Sequence, residues 1–212
     1  IAKVNQDNTM GAIIALNCET DFVAKNDNFV ELAHELAEQA VMYANKEEFL
    51  ASDFHGMTVA EKLIEQTGVI GEKIEIGAFE RIEGPFLGAY IHAGNKIAAI
   101  SSLSANVDGA SEVAKSVSMQ VAAMKPIALD ETMVSQETVD KELEIERELL
   151  TKEGKPANII DNILKGKMQK FYKDNTLVHQ SFIKDANMSV ADYVKSIDSD
   201  LKVVGFVRAS LT

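Results

Sequence analysis

The sequence has little of several residue types that define whole classes of protein. Its 212 residues include one cysteine, Cys18, and no tryptophan. A single cysteine excludes an intrachain disulfide and any zinc site built from several thiolates. The longest apolar runs, such as residues 10–16, are far shorter than the roughly 20 residues that a membrane-spanning helix needs. We therefore expect no membrane partner.

Basic residues are also scarce. Lys and Arg total 21 against 33 Asp and Glu, which gives a net charge of −12. Broad contact with a nucleic-acid backbone needs clustered Lys and Arg, so no direct nucleic-acid partner is expected. No charged and apolar leader stands at the start of the sequence, and we expect a cytoplasmic protein.

The common motifs for phosphate and metal binding are missing. Gly154-Lys155 is followed by Pro156 and lacks the upstream glycine of a phosphate-binding loop, and no Gly-x-Gly-x-x-Gly run occurs. A metalloprotease helix starting at His34 would need a second histidine at the position that Glu38 occupies. The other histidines are widely scattered along the chain. The sequence thus predicts no metal, no cofactor and no enzymatic activity.

Cys18 is the one candidate nucleophile. A reactive thiol needs a base and electropositive surroundings. Its neighbours Glu19 and Asp21 would raise the pKa of the thiol instead. We predict a buried structural cysteine. A hydrolase that uses Cys18 is the alternative, and it requires a thiol that reacts faster than free cysteine near pH 7.

Hydrophobic periodicity predicts helices and strands in a repeated order. The predicted helices cover residues 28–41, 58–68 and 111–124, and a short helix starts at Ser189. Asn28 and Glu31 look like an N-cap and its reciprocal partner. The predicted strands cover residues 10–16, 73–82, 86–93, 96–103 and 202–209. A hairpin leads into a long helix twice, so we predict an α+β fold of two related subdomains with antiparallel sheets and packed helices.

Residues 137–173 differ from the rest. The first arm, 137–155, has a net charge of −3, and the second arm, 156–173, has a net charge of +3. Gly154 and Pro156 supply a stop and a start signal between them. We predict a projecting antiparallel helical hairpin, or coiled coil, over residues 136–173. The predicted subdomains are then 1–83, and 84–135 together with 174–212.

The link between the strand at 10–16 and the following helix contains an unusual aromatic residue, Phe22. Links of this kind usually lie on the surface. Phe22 could pack into the protein's own core, with Asp21 as a turn residue. It could instead be an exposed anchor that enters a pocket of a partner, with Asp21 as a polar contact beside it.

Residues 20–26 closely resemble the signature of the elongation factor Ts family. They read Thr20, Asp21, Phe22, Val23, Ala24, Lys25 and Asn26. Residues 68–74 resemble the Ile-Gly-Glu-Asn segment of the family, with Lys73 in place of Asn. Further matches follow in order at residues 89–92, 119–126, 166–171 and 180–183, and they cover nearly the whole chain.

The resemblance implies a guanine-nucleotide exchange factor that binds elongation factor Tu and promotes GDP release during translation elongation. It implies that Phe22 wedges into Tu near the magnesium site, with Asp21 as its polar companion. Ile70, Gly71 and His92 would lie on the same docking face. Ile183 would help to grip a second domain of Tu. The factor itself would bind neither nucleotide nor magnesium.

The family begins with a small helical domain similar to ubiquitin-associated domains. Nothing before Ile1 supplies it, so we expect this chain to correspond to the core and coiled coil. Self-association or assembly with other chains stays open at this point. The competing hypothesis is a non-catalytic interaction scaffold that acts through the helical hairpin and needs no contribution from Phe22.

Overall fold

The computed structural model describes residues 1–92 and 94–212, which form two compact units. The first unit comprises Ile1–Ala123 and Leu201–Thr212, and the second comprises Met124–Asp200. The predicted end of a strand at residue 93 lies outside the described residues. The subdomain boundaries drawn from the sequence remain a prediction.

The described residues form ten strands and eight α-helices. The strands are β1 Ala2–Val4, β2 Met10–Asn17, β3 Asp53–Phe54, β4 Met57–Thr58, β5 Glu75–Glu83, β6 Phe86–Ile91, β7 Ile97–Leu103, β8 Ser181–Phe182, β9 Asp185–Ser189 and β10 Val203–Ser210. The helices are α1 Asp21–Ala24, α2 Asp27–Ala40, α3 Lys46–Ala51, α4 Val59–Ile70, α5 Ala110–Met124, α6 Gln136–Lys152, α7 Ala157–Asn175 and α8 Val190–Ile197.

The first unit contains two three-stranded antiparallel sheets of the same topology. Their strand orders are β1-β2-β5 and β6-β7-β10. In each sheet a hairpin leads into a long helix, and a later strand pairs with the second strand of the hairpin. The predicted α+β fold with a repeated hairpin-and-helix arrangement is confirmed.

Strand β2 is buried on both faces. Ile14 and Leu16 belong to a core shared with Leu36 of α2, whereas Ile13 packs with Ile100 of β7 in a second core between the two sheets. A strand that is covered on both sides carries apolar residues continuously, without polar alternation. This position explains the unbroken apolar run at residues 10–16.

The ends of two helices differ from the predictions. Asn26, not Asn28, caps α2, because its side chain accepts hydrogen bonds from the N–H groups of Asn28 and Phe29 at 3.0 and 3.3 Å. Helix α4 continues past Gly68 to Ile70, and its C-cap is Gly71, which has a left-handed φ of +79°. A glycine adopts that conformation without a steric penalty. A capping box of Thr58 and Glu61 stands at the start of α4, where the predicted helix begins.

Several short elements were missed by the sequence patterns. They are α1 and α3, together with the short strands of the β3–β4 and β8–β9 pairs. Elements of two to six residues span too little chain for a hydrophobic period to show. One of them, α1, replaces the irregular link that was expected around Phe22.

In the second unit, α6 and α7 pair as the predicted antiparallel hairpin. Leu150 of α6 packs with Ile160 and Leu164 of α7 in a small core. Two ion pairs join the arms, at 2.5 Å between Lys167 and Glu146 and at 2.8 Å between Arg147 and Asp161. The apolar contacts supply most of the stability of such a hairpin, and exposed ion pairs add little.

Candidate functional site

Phe22 lies on a short helical turn with almost its whole side chain in solvent. Helix α1 has four residues, and 90% of Phe22 is exposed. Thr20 caps the turn, and its hydroxyl accepts a 3.4 Å hydrogen bond from the N–H of Val23. The first alternative from the sequence, that Phe22 packs into the protein's own core, is therefore wrong.

The turn is fixed by the residues on either side of Phe22. Val23 is partly buried and packs against the core that β2 and α2 share. Lys25 ends the turn and the next residue, Asn26, caps α2, so the turn is joined directly to a fourteen-residue helix. Consecutive positions on a helical turn point about 100° apart. Because Val23 faces the core, Phe22 faces solvent.

The end of α4 holds the turn from a second direction. The carboxylate of Glu72 accepts hydrogen bonds from the N–H groups of Glu19 and Thr20 at 2.9 and 3.0 Å. It also accepts one from the Thr20 hydroxyl at 2.5 Å. That hydroxyl, followed by the two N–H groups, lowers the pKa of Glu72 below its ordinary value. The two segments that carried much of the family resemblance are thus bonded to each other.

The β6–β7 hairpin reaches the same place. Gly94 and Asn95 near its tip both have positive φ angles, +82° and +56°. Next to them, the Nζ atom of Lys96 lies 3.7 Å from a carboxylate oxygen of Asp21. A pair this exposed contributes little stability. It does show that the tip of the second hairpin lies beside the turn.

The predicted site residues occupy both units. In the first unit, Ile70 is half-buried against the core at the end of α4, and Gly71 is the exposed cap. His92 is exposed near the hairpin tip, with its Nδ1 atom 3.2 Å from the Tyr90 hydroxyl. Ile183 belongs to the second unit, where it follows β8 and is exposed. The structure thus joins residues 20–26 to residues 70–72 and to the hairpin that carries His92.

Cys18 is only partly buried, which corrects the prediction of a buried thiol. Its Sγ atom lies 3.4 Å from the carbonyl oxygen of Thr20. Partial burial, and then the carboxylates of Glu72 and Asp21, raise the pKa of the thiol. The predicted direction is right, but Glu72 was not foreseen as a cause. The thiol also borders a cavity of about 370 Å³ that is lined by β2, β7, β10 and α2.

Labelling of Cys18 should therefore be slow in the folded chain. Because a raised pKa leaves less thiolate at pH 7, we expect a disulfide reagent to react several-fold more slowly than with the same thiol in urea. Absorbance of the released thiol follows both reactions. Labelling that is faster in the folded chain would favour the hydrolase hypothesis.

The described residues contain neither a metal-binding cluster nor a membrane-spanning helix. No group of three or more His, Cys, Asp or Glu side chains within residues 1–92 and 94–212 is arranged to hold a metal ion. Over the same residues, no helix is long and apolar enough to span a membrane. Around Phe22, the described residues form a surface with an exposed apolar side chain on a fixed turn.

Two contacts of this surface were not predicted from the sequence. Glu72 stood inside a segment that was noticed for its family resemblance, yet no local pattern indicated its bonds to residues 19 and 20. No sequence pattern indicated a contact between Lys96 and Asp21, because that contact depends on how the two sheets pack. Both contacts join residues more than 50 positions apart in the sequence.

Comparisons with known proteins show the family of the chain. A family model described as Elongation factor TS matches residues 19–212. The chain belongs to the elongation factor Ts family. It is 62% identical over its full length to elongation factor Ts of Christiangramia forsetii and covers 77% of that protein. It is 61% identical to elongation factor Ts of Flavobacterium psychrophilum, again with 77% covered.

A more distant relative extends the comparison. Elongation factor Ts of Porphyromonas gingivalis is 43% identical over 94% of the chain, which covers 73% of that protein. The match to the family model contains every predicted site residue, from Thr20 to Ile183. Membership of the elongation factor Ts family assigns the chain a role in translation elongation.

Proposed function

We propose that the chain binds elongation factor Tu and promotes release of its GDP, with Phe22 as the side chain that enters Tu. One observation carries this proposal: Phe22 is 90% exposed on a turn that is held from two sides. A large apolar side chain in that setting stabilises nothing within its own chain. It is available to a pocket of a partner at little cost in conformational entropy.

The remaining predicted residues widen the contact. Asp21 stands next to Phe22 as a polar contact, and Val23, Ala24, Lys25 and Asn26 complete the turn. Ile70, Gly71 and His92 extend the docking face in the first unit. Ile183 grips a second domain of Tu from the second unit. Each of these roles is part of the proposal, and each can be tested by substitution.

Thermodynamic linkage sets the size of the effect. A factor that weakens GDP binding to Tu must itself be bound more weakly when GDP is present, by the same ratio. Each tenfold of that ratio corresponds to about 1.4 kcal/mol. Burial of one Phe side chain supplies about 1.5–3 kcal/mol. Large accelerations therefore need the wider interface as well as Phe22.

The proposed mechanism involves no covalent chemistry by the chain. Insertion of Phe22 displaces groups of Tu that hold magnesium and phosphate, and GDP then leaves. The chain binds neither nucleotide nor magnesium, and it works in the cytoplasm, where translation occurs. The chain weakens the binding of GDP to Tu and raises the rate at which GDP is released.

The direct test is the release of fluorescent GDP from elongation factor Tu after an excess of unlabelled GDP is added. We expect the release rate to rise with the concentration of the chain and to reach a plateau. A chain unfolded by heat and cooled on ice serves as the protein control. A release rate that is unchanged at every concentration would contradict the proposal.

The scaffold hypothesis has one observation in its favour. The α6–α7 hairpin exposes several apolar side chains, namely Ile145, Leu149 and Ile159. If the hairpin were the functional element, exchange would not depend on Phe22, and any activity would require the hairpin.

Deletion of the hairpin separates the two hypotheses. We expect a variant that lacks residues 139–171, closed by a short linker, to retain most of its acceleration of GDP release, because the Phe22 turn belongs to the first unit. Circular dichroism confirms that the rest is folded. Complete loss of exchange in a folded variant would support the scaffold hypothesis.

A further inference from the structure

Resting on the proposed function, we infer that Glu72 is a positioning residue that holds Phe22 ready for insertion. Glu72 touches neither Phe22 nor a reacting group. It bonds the backbone of Glu19 and both the backbone and the hydroxyl of Thr20, the residue that caps the turn. Its three hydrogen bonds end within three residues of Phe22.

The turn cannot be expected to hold its shape alone. A four-residue helix contains barely more than the nucleus of a helix, and forming that nucleus is unfavourable without tertiary contacts. None of its residues is fully buried, and its own cap bond from Val23 to Thr20 is long, at 3.4 Å. An external partner for the cap is therefore needed to keep the turn ordered.

The backbone on both sides of Glu72 is fixed by hydrogen bonds. Gly71 ends α4 and donates its N–H to the carbonyl oxygen of Thr67 at 2.9 Å. The Thr67 hydroxyl accepts a hydrogen bond from the N–H of Ile74 at 3.1 Å, and Ile74 itself is buried. The short segment that carries Glu72 is thus tied down on both sides. A carboxylate mounted in this way can impose its position on the turn.

The carboxylate is already occupied within the chain. One oxygen accepts two backbone N–H groups and the other accepts the Thr20 hydroxyl. Three of its roughly four acceptor sites are used. Hydrogen bonds to an ionised acceptor are the strong ones. This arrangement indicates that the carboxylate orders the neighbouring turn. It leaves little acceptor capacity for contact with a partner.

The first test compares exchange by four substitutions. We expect Glu72→Ala to lower the concentration-dependent rate of GDP release on the order of tenfold, the size typical for loss of a charged hydrogen-bond partner. Thr20→Val, which removes the hydroxyl, should act in the same direction. Thr20→Ser keeps a hydroxyl at this position and should restore the rate of GDP release that Thr20→Val loses. Glu75→Ala removes a nearby exposed carboxylate that pairs with Lys73 and should have no effect.

The second test asks whether Glu72 acts through Phe22. We expect Glu72→Ala to cause no further loss when it is added to Phe22→Ala, because the positioned side chain is then absent. Losses that multiply in the double variant would mean that Glu72 acts independently of Phe22, and the inference would be overturned. A normal rate of GDP release for the single variant Glu72→Ala, with Phe22 intact, would also overturn the inference.

The third test needs no exchange activity. Because the chain has no tryptophan, Phe22→Trp places a single fluorescent reporter on the turn. We expect its fast anisotropy decay to grow when Glu72→Ala is added and to stay unchanged when Glu75→Ala is added. If the chain fails to accelerate GDP release at all, the proposed function is wrong, yet this decay still decides whether Glu72 orders the turn. An unchanged decay would overturn the inference.

Discussion

Phe22→Ala is expected to slow the GDP release that the chain promotes by about 10- to 150-fold, the equivalent of about 1.5–3 kcal/mol of lost apolar burial. The substitution removes a side chain that enters the partner and touches little of its own chain. Because 90% of Phe22 is already in solvent, the free energy of unfolding should change by no more than about 0.5 kcal/mol.

The measurement is the slope of the GDP release rate against the concentration of the chain, together with urea unfolding of both proteins. Met42→Ala is a matched control, since it removes another exposed apolar side chain, 68% in solvent. Met42 lies just beyond the far end of α2, about 20 Å from the turn by helix length. An equal slope for wild type and Phe22→Ala would remove Phe22 from the mechanism.

Phe49→Ala is expected to affect stability and not exchange, the reverse of Phe22→Ala. It should lower the free energy of unfolding by about 3–5 kcal/mol. The side chain of Phe49 is 0% exposed in α3. Its ring centroid lies 5.6 Å from that of Phe79 and 6.2 Å from that of Tyr43. Truncation would remove the apolar burial and leave a cavity that close-packed neighbours fill only in part.

Urea unfolding followed by circular dichroism measures this loss, and Phe22→Ala is the matched control because the chemical change is identical. The molecules that remain folded at low temperature should still accelerate GDP release, since Phe49 makes none of the hydrogen bonds that hold Thr20 at the cap of the turn. A loss below about 1 kcal/mol would contradict the close packing around Phe49.

Local patterns in the sequence were sufficient for most regular elements. Helix α4 could be predicted from Thr58 and Glu61, because a capping box involves residues only three positions apart. The paired helices α6 and α7 followed from opposite net charges and from the Gly154–Pro156 junction. The resemblance at residues 20–26 indicated the family, which the comparisons then established. Each of these signals lies within a short stretch of chain.

The sequence predicted the wrong end of a helix where two nearby residues could each serve as its cap. Asn26 and Asn28 are both good caps, and the choice depends on which backbone is extended before the helix. Gly68 and Gly71 both could end α4, and only the second adopts the left-handed conformation. Local residue type limits such choices to a few positions. The packing of the helix selects among them.

The sequence by itself determined the longer helices and strands, the helical hairpin and the resemblance to the family. The tertiary structure alone decided whether Phe22 is buried or exposed, because that depends on Val23 taking the place against the core. It alone brought Glu72 to Thr20 and Lys96 to Asp21, across more than 50 residues of chain. The physical reason is that a local period reports which face of an element is apolar, whereas contacts between distant segments depend on how those faces pack.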